Sequence, residues 1–153
     1  MSDWRTEMED ALKAFVSVAS LAGDPISLRE ISAEYESAPH RPPARLPAGK
    51  MAVYGFWGDG TWLKIGKVGP NSNARYTSQH YLADSARSTL AGSLRNDPRM
   101  RGVVDFDPAV PGVWIKASTH RVNILLPVHR SRRLLGLLEA FLHVRLRPRY
   151  EES

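Results

Sequence analysis

Glu139 interrupts an apolar run, Leu134 to Leu142, and is the only acid between Asp107 and Glu151. An ionised carboxylate in such surroundings costs on the order of several kcal/mol unless it is paired or binds a cation. On a helix its neighbours at −3, −7 and +4 are Gly136, Arg132 and His143, a narrow polar stripe with one position lacking a side chain. That stripe could hold a metal ion and leave room for a phosphate. An ion pair with an arginine or with Lys64 is the structural alternative. Mg²⁺ (or Mn²⁺) suits one carboxylate, because it completes its shell with waters and phosphate oxygens. Zinc does not suit this chain: there is no cysteine, and the five histidines lack ligand spacing.

A second set of reactive types lies between Met51 and His80. Two runs rich in β-branched and aromatic residues, Met51 to Trp57 and Thr61 to Lys67, flank Gly58-Asp59-Gly60 and predict a hairpin. A three-residue loop, Gly58 to Gly60, pairs Trp57 with Thr61 and sets Tyr54 opposite Lys64. One face then carries Val53, Leu63 and Ile65. The other carries Tyr54, Phe56, Trp62 and Lys64, a phenol beside an ammonium, and an adjacent cation favours the phenolate. A two-residue loop would split Tyr54 and Lys64 across the sheet. After the turn Gly69 to Asn73, a short helix over 74–81 places Tyr76 and His80 on one face, with Arg75 and Gln79 on the neighbouring strip.

The remaining elements position these groups. Residues 4–21 carry Met8, Leu12, Phe15 or Val16, and Ala19 on one stripe and predict an amphipathic helix. Ser27 to Glu30 has capping-box spacing and predicts a second helix to about Glu36, giving an N-terminal helical hairpin over 1–37 with three candidate roles, in order: packing on the main domain, a homodimer contact, or the front of a helix-turn-helix reader. Residues 38–50, with four prolines between Pro39 and Pro47, read as a linker. Residues 51–153 are then the main domain. Within it, 85–96 predicts a helix and 97–119 a loop with at most a short strand. His120 to Leu126 predicts a strand with Val122, Ile124 and Leu126 inward, and Ser131 to Leu146 a leucine-rich helix ended by Pro148.

Composition bounds the class. The chain has 153 residues and a formal net charge of +5, unevenly spread. Residues 1–49 hold five basic and eight acidic side chains, residues 50–153 hold 16 and eight, and 16 of the 21 basic residues are Arg. Arginine's planar fork suits phosphate oxygens, so a polyanion is a candidate partner for the C-terminal part. No run reaches the ~20 apolar residues of a membrane span, and the acidic start lacks signal-peptide character, so a cytoplasmic protein is expected.

Taken in order, Val53-Tyr54, Lys64-Ile65-Gly66, Arg75 with His80 behind it, and Leu138-Glu139-Ala140-Phe141 closing on Pro148-Arg149-Tyr150 resemble the GIY-YIG nuclease superfamily over residues 51–151. The resemblance implies an α+β fold, a small three-stranded antiparallel sheet flanked by helices. It also implies a divalent metal on Glu139, Tyr54 helping to activate water, Arg75 on the scissile phosphate, and His80 as proton acceptor or phosphate contact. Lys64 stands where the second motif has tyrosine, and Glu151 where an asparagine often follows the last proline. The expected activity is hydrolysis of DNA phosphodiesters, with RNA left open, and Lys67, Tyr76 and Arg132 are the candidates to touch nucleic acid. Two alternatives stand beside it: a catalytically inactive nucleic-acid-binding module on the same scaffold, and a dimerising interaction protein.

Overall fold

A computed structural model describes residues 3–150, so Glu151 lies outside the described residues. The chain is α+β. Helix α1 (Trp4–Leu21) leads to strand β1 (Ser32–Glu36), then β2 (Lys50–Gly58), β3 (Thr61–Val68), α2 (Asn73–Thr77), α3 (Leu90–Arg95), α4 (Pro111–Ser118), β4 (His120–Pro127) and α5 (Arg132–Leu146). The sheet is antiparallel with order β1-β4-β2-β3, four strands where three were expected.

The fourth strand occupies the place of the expected second helix. Ser27 makes no side-chain cap, and its capping-box spacing yields only a single 3₁₀ turn, Leu28–Glu30. From Ile31 onward the pattern is alternating, with Ala33 and Tyr35 half-buried between exposed Ser32, Glu34 and Glu36. Period 2 wins over local helix signals because β4 offers a free edge to pair with. The N-terminal helical hairpin is therefore replaced by a helix and a strand.

The hairpin loop is also shorter than expected. Asp59 and Gly60, both at positive φ (51° and 75°), form a two-residue turn with Gly58 opposite Thr61. A bulge then restores the phase: Trp57 pairs with Trp62, but Phe56 pairs with Lys64, leaving Leu63 as the extra residue. Tyr54, Phe56 and Lys64 therefore share a face, with Gly66 rather than Lys64 opposite Tyr54. Leu63 and Trp62 exchange the faces assigned to them from sequence.

Each face of the sheet has its own core. On one side Met51, Val53, Trp62, Ile65, Val122, Ile124 and Leu126 meet α1 and α5, with Phe15 against Phe141 at 5.9 Å between ring centroids. Asp3 caps α1, and Ser131 caps α5 by accepting from the Arg133 and Leu134 amides. The apolar stripe of α1 is thus used within the chain. On the other side Tyr54, Phe56, Leu63 and Leu125 meet the segment from α2 to α4. That segment contains a short α2 followed by a 3₁₀ turn, Gln79–Tyr81, and a helix, α4, that proline at its first turn nucleates within the stretch read as loop.

The proline-rich stretch is laid along this second side. The His40 amide donates to the Lys116 carbonyl at 2.8 Å, the Leu46 amide to Asn73 Oδ1 at 2.8 Å, and the Val128 amide to the Gly49 carbonyl at 3.0 Å. His40 and Leu46 are buried. No helix among the described residues is long and apolar enough to cross a membrane.

Phe15 is fully buried at the α1–α5 contact. Replacing it with alanine is expected to lower the unfolding free energy by about 3–5 kcal/mol, the cost of removing a core phenylalanine. Urea denaturation followed by circular dichroism measures this, and a loss under 1 kcal/mol would mean α1 is not part of the core.

Candidate functional site

The sequence-predicted residues fall into two groups on either side of β3. Tyr54, Lys64 and His80 lie together beneath the surface, with Tyr54 and His80 fully buried and Lys64 2% exposed. The Tyr54 hydroxyl is 2.5 Å from His80 Nε2. The direction of that bond follows from the other ring nitrogen. The Leu90 amide, which can only donate, points at His80 Nδ1 at 3.0 Å. Nδ1 therefore keeps its lone pair, the neutral ring carries its proton on Nε2, and that N–H donates to the phenol oxygen. His80 is thus a donor to Tyr54, with both nitrogens engaged and no surface left for a phosphate.

The surroundings favour the neutral ring. Burial, followed by the positive charges of Arg75, Arg121 and Lys64, pushes His80 well below the usual histidine range. Arg75, half-buried on α2, spans the next loop, donating from Nη1 to the Arg87 carbonyl at 3.0 Å and from Nη2 to the Ser88 carbonyl at 3.2 Å. Tyr76, a candidate for touching nucleic acid, is buried, its ring 6.5 Å from that of Tyr54.

Glu139 and Lys67 form the second group. Lys67 Nζ and Glu139 Oε1 are 2.7 Å apart, with the lysine side chain 45% exposed and the glutamate 18%. Lys67 follows Gly66, and successive strand residues face opposite sides, so β3 separates the phenol from the Glu139–Lys67 pair. The wall is thin at Gly66: a Cβ there would lie 2.6 Å from the Tyr54 hydroxyl oxygen. Next to this group, His143 Nε2 donates to the Ile65 carbonyl at 2.9 Å, while the amides of Arg149 and Tyr150 reach the carbonyls of Trp62 and Leu63. Exposed Arg132, at the start of α5, lies against the turn after β3, about 3.6 Å from the Cβ position of Gly69.

Among the described residues no three of His, Cys, Asp or Glu stand close enough to share an ion. The donor set therefore fits only a cation that takes one protein carboxylate and completes its shell with water and phosphate oxygens, which is how Mg²⁺ binds. Glu139 would be that ligand, with the exposed Lys67 ammonium moved aside.

The side chain that sequence reasoning missed is Arg121. It is fully buried on the central strand β4, on the face opposite Val122 and Ile124. Nε donates to Asn123 Oδ1 at 2.7 Å, Nη2 to the Tyr76 carbonyl at 2.7 Å and Nη1 to the Tyr81 hydroxyl at 3.1 Å. Its Cζ lies 5.0–5.1 Å from the ring centres of Tyr54, Phe56 and Tyr76 and 6.0 Å from that of Tyr81. The signal was available: reading Val122, Ile124 and Leu126 as inward puts Arg121 and Asn123 on the other face, which in a central strand is also covered.

A cleft of about 520 Å³ lies beyond Tyr81, between the loop at 82–85 and α4, and none of Tyr54, Lys64, Arg75 or Glu139 lines it. Compared with models of known families, with curated proteins and with solved structures, the chain finds no match in any of the three.

Two outcomes follow from the geometry. Gly66→Ala drives a methyl into the phenol and is expected to cost about 1–3 kcal/mol in urea denaturation; a neutral effect would show that Tyr54 moves aside freely. His80 titrates lower in the folded chain than its unfolded value of about 6.5, so its stabilising contribution is complete above that pH and is lost as pH falls. Stability should decline below about pH 6.5, and in His80→Gln the slope should be shallower by up to about 1.4 kcal/mol per pH unit. Parallel slopes for the two proteins would remove His80 from the titration.

Proposed function

We propose that this protein is a metal-dependent nuclease that hydrolyses DNA phosphodiester bonds. The observation that carries the reading is the Tyr54–His80 hydrogen bond, in which a buried phenol oxygen receives a histidine N–H in the field of Lys64, Arg75 and Arg121. A phenol oxygen so served holds negative charge more readily than one in an apolar core, and a phenolate is a base.

In the proposed reaction the edge at Gly66 moves to admit water to the Tyr54 oxygen; the water oxygen attacks phosphorus, one water proton passes to the Tyr54 phenolate, and the P–O bond to the leaving sugar breaks. The leaving oxygen takes a proton from solvent. Arg75 offsets charge on the phosphate, and His80, by donating from Nε2, keeps the Tyr54 oxygen oriented as acceptor. Glu139 is the residue that would hold a divalent cation, which when bound would supply Lewis-acid stabilisation of developing charge. Lys67 and Arg132, on the Glu139 side, fit contacts to flanking phosphates.

A second reading, a non-catalytic nucleic-acid-binding module, draws on the Lys67–Glu139 ion pair, since the ammonium occupies one carboxylate oxygen. A supercoiled-plasmid nicking assay separates the two. Nicking with Mg²⁺ or Mn²⁺, abolished by chelator and reduced about 10²- to 10³-fold in Glu139→Ala, is the expected result, on the scale of removing one electrostatic contact. Salt-sensitive DNA binding without nicking under either ion would favour the second reading. Undiminished nicking by Glu139→Ala would remove the mechanism.

A further inference from the structure

We propose that β1 is a docking edge for a second protein: an extended segment in which basic and apolar residues alternate adds to the sheet beside Ser32–Glu36. This role for the edge stands whether or not the chain is a nuclease.

β1 is the end strand of the sheet and pairs with β4 alone. Beyond that ladder, no backbone hydrogen bond among the described residues reaches Ser32 to Glu36. The other end of the sheet is treated differently, since the Arg149 and Tyr150 amides donate to the Trp62 and Leu63 carbonyls of β3. An end strand presents a row of unpaired N–H and C=O groups, and a strand added there gains main-chain hydrogen bonds whatever its sequence. Sequence is then selected by the two faces.

The faces of β1 differ in kind because its side chains alternate. Ala33 and Tyr35 pack against the core that α1 and α5 cover, and both line a recess of about 260 Å³. Leu12 of α1, with Leu28 and Ile31 of the preceding turn, completes its apolar wall, and Glu9 and Lys13 also line it. Leu28 is 46% exposed, apolar surface that an added side chain would cover. On the opposite face Ser32, Glu34 and Glu36 are exposed, and neither carboxylate is in an ion pair among the described residues. A segment lying beside β1 sets every second side chain on the side of the recess and the intervening ones beside Glu34 and Glu36. Apolar residues suit the first set, and lysine or arginine the second.

Charge also decides between occupants. A second copy pairing through β1 about a two-fold axis at Glu34 sets that residue against itself, and an axis at Tyr35 sets Glu34 against Glu36. An axis between residues brings the acidic face of one strand onto the apolar face of the other. Nucleic acid is repelled by the same carboxylates. Residues 1–49 hold five basic and eight acidic side chains, so the part of the chain that carries β1 reinforces the choice of a basic segment.

The probe is a capped heptapeptide of alternating lysine and valine, titrated to millimolar concentration into the ¹⁵N-labelled full chain. Amide resonances of Ser32 to Glu36 should shift, and exchange of β1 amides with solvent should slow. The double variant Glu34→Lys, Glu36→Lys, at two exposed positions, should raise the dissociation constant about tenfold, and Leu28→Ser should raise it from the other face. A peptide with its lysines and valines in separate blocks, and the alternating peptide with every amide N-methylated, should leave β1 unchanged. An equal response to the block peptide would reduce the effect to charge attraction and overturn the proposal. So would no response of β1 to the alternating peptide, or a dimer of the unliganded chain that already protects β1. Should the double variant fail to fold, the two control peptides decide it. None of these readouts involves DNA or a divalent ion, so loss of this edge and loss of the nuclease reading are separate results.

Discussion

A positive charge buried with no carboxylate among its described hydrogen-bond partners sets the terms for the rest of this structure. Taking the Arg121 guanidinium out of water costs on the order of several kcal/mol. Hydrogen bonds to a charged group contribute about 1.5–3 kcal/mol each, and an aromatic face adds up to about 2 when desolvated. Three such bonds and four ring faces can therefore offset the cost, but only if every one is held in place. This requirement accounts for much of the second core: Asn123 one side-chain step along β4, the Tyr76 carbonyl at the end of α2, and Tyr81 in the next turn. His40 fixes Tyr81 in turn, which ties the proline-rich stretch to the same charge.

Tyr54 is located by two opposing constraints. The Arg121 cation and His80 hold its ring and oxygen on one side, and the edge strand limits it on the other. Gly66 is the residue there that permits a phenol to lie directly against a backbone, since any Cβ would collide with the hydroxyl. The bulge at Leu63 is what delivers Gly66 and Lys64 to this face after the two-residue turn has shifted the phase by one. Turn and bulge are thus coupled, and neither alone would bring ammonium and phenol together.

How much of this was legible depends on whether the deciding signal was local. The α1 stripe, the leucine-rich α5 with its Ser131 cap, and the existence of β2, β3 and β4 come from periodicity within one segment, and periodicity is visible in the sequence. Strand β1 was read as helix because Ser27 and Glu30 supply a local cap pattern, while its actual stabilisation is the edge of β4, some 90 residues away. The loop length at Asp59-Gly60 was misjudged because three glycine-flanked residues are compatible with two turns, and the bulge that decides the register leaves no mark on Leu63 itself. Tyr54, Lys64 and His80 were legible as reactive types. Arg121 was not, since a cation in a strand reads as a solvated side chain until the sheet is known to be covered on both faces.

One strand separates the phenol from Glu139, and the two sides are held in different ways. Glu139 is held by a lysine that is 45% exposed, and pairs of that kind contribute about 0–1 kcal/mol. The pair therefore holds Glu139 only loosely at this edge. The phenol side is the opposite case: Tyr54 and His80 are buried and their partners are committed, so nothing there rearranges cheaply. A rigid, buried phenol and a loosely paired, half-buried carboxylate thus stand on opposite sides of one edge strand, at a point where that strand carries no side chain, Gly66.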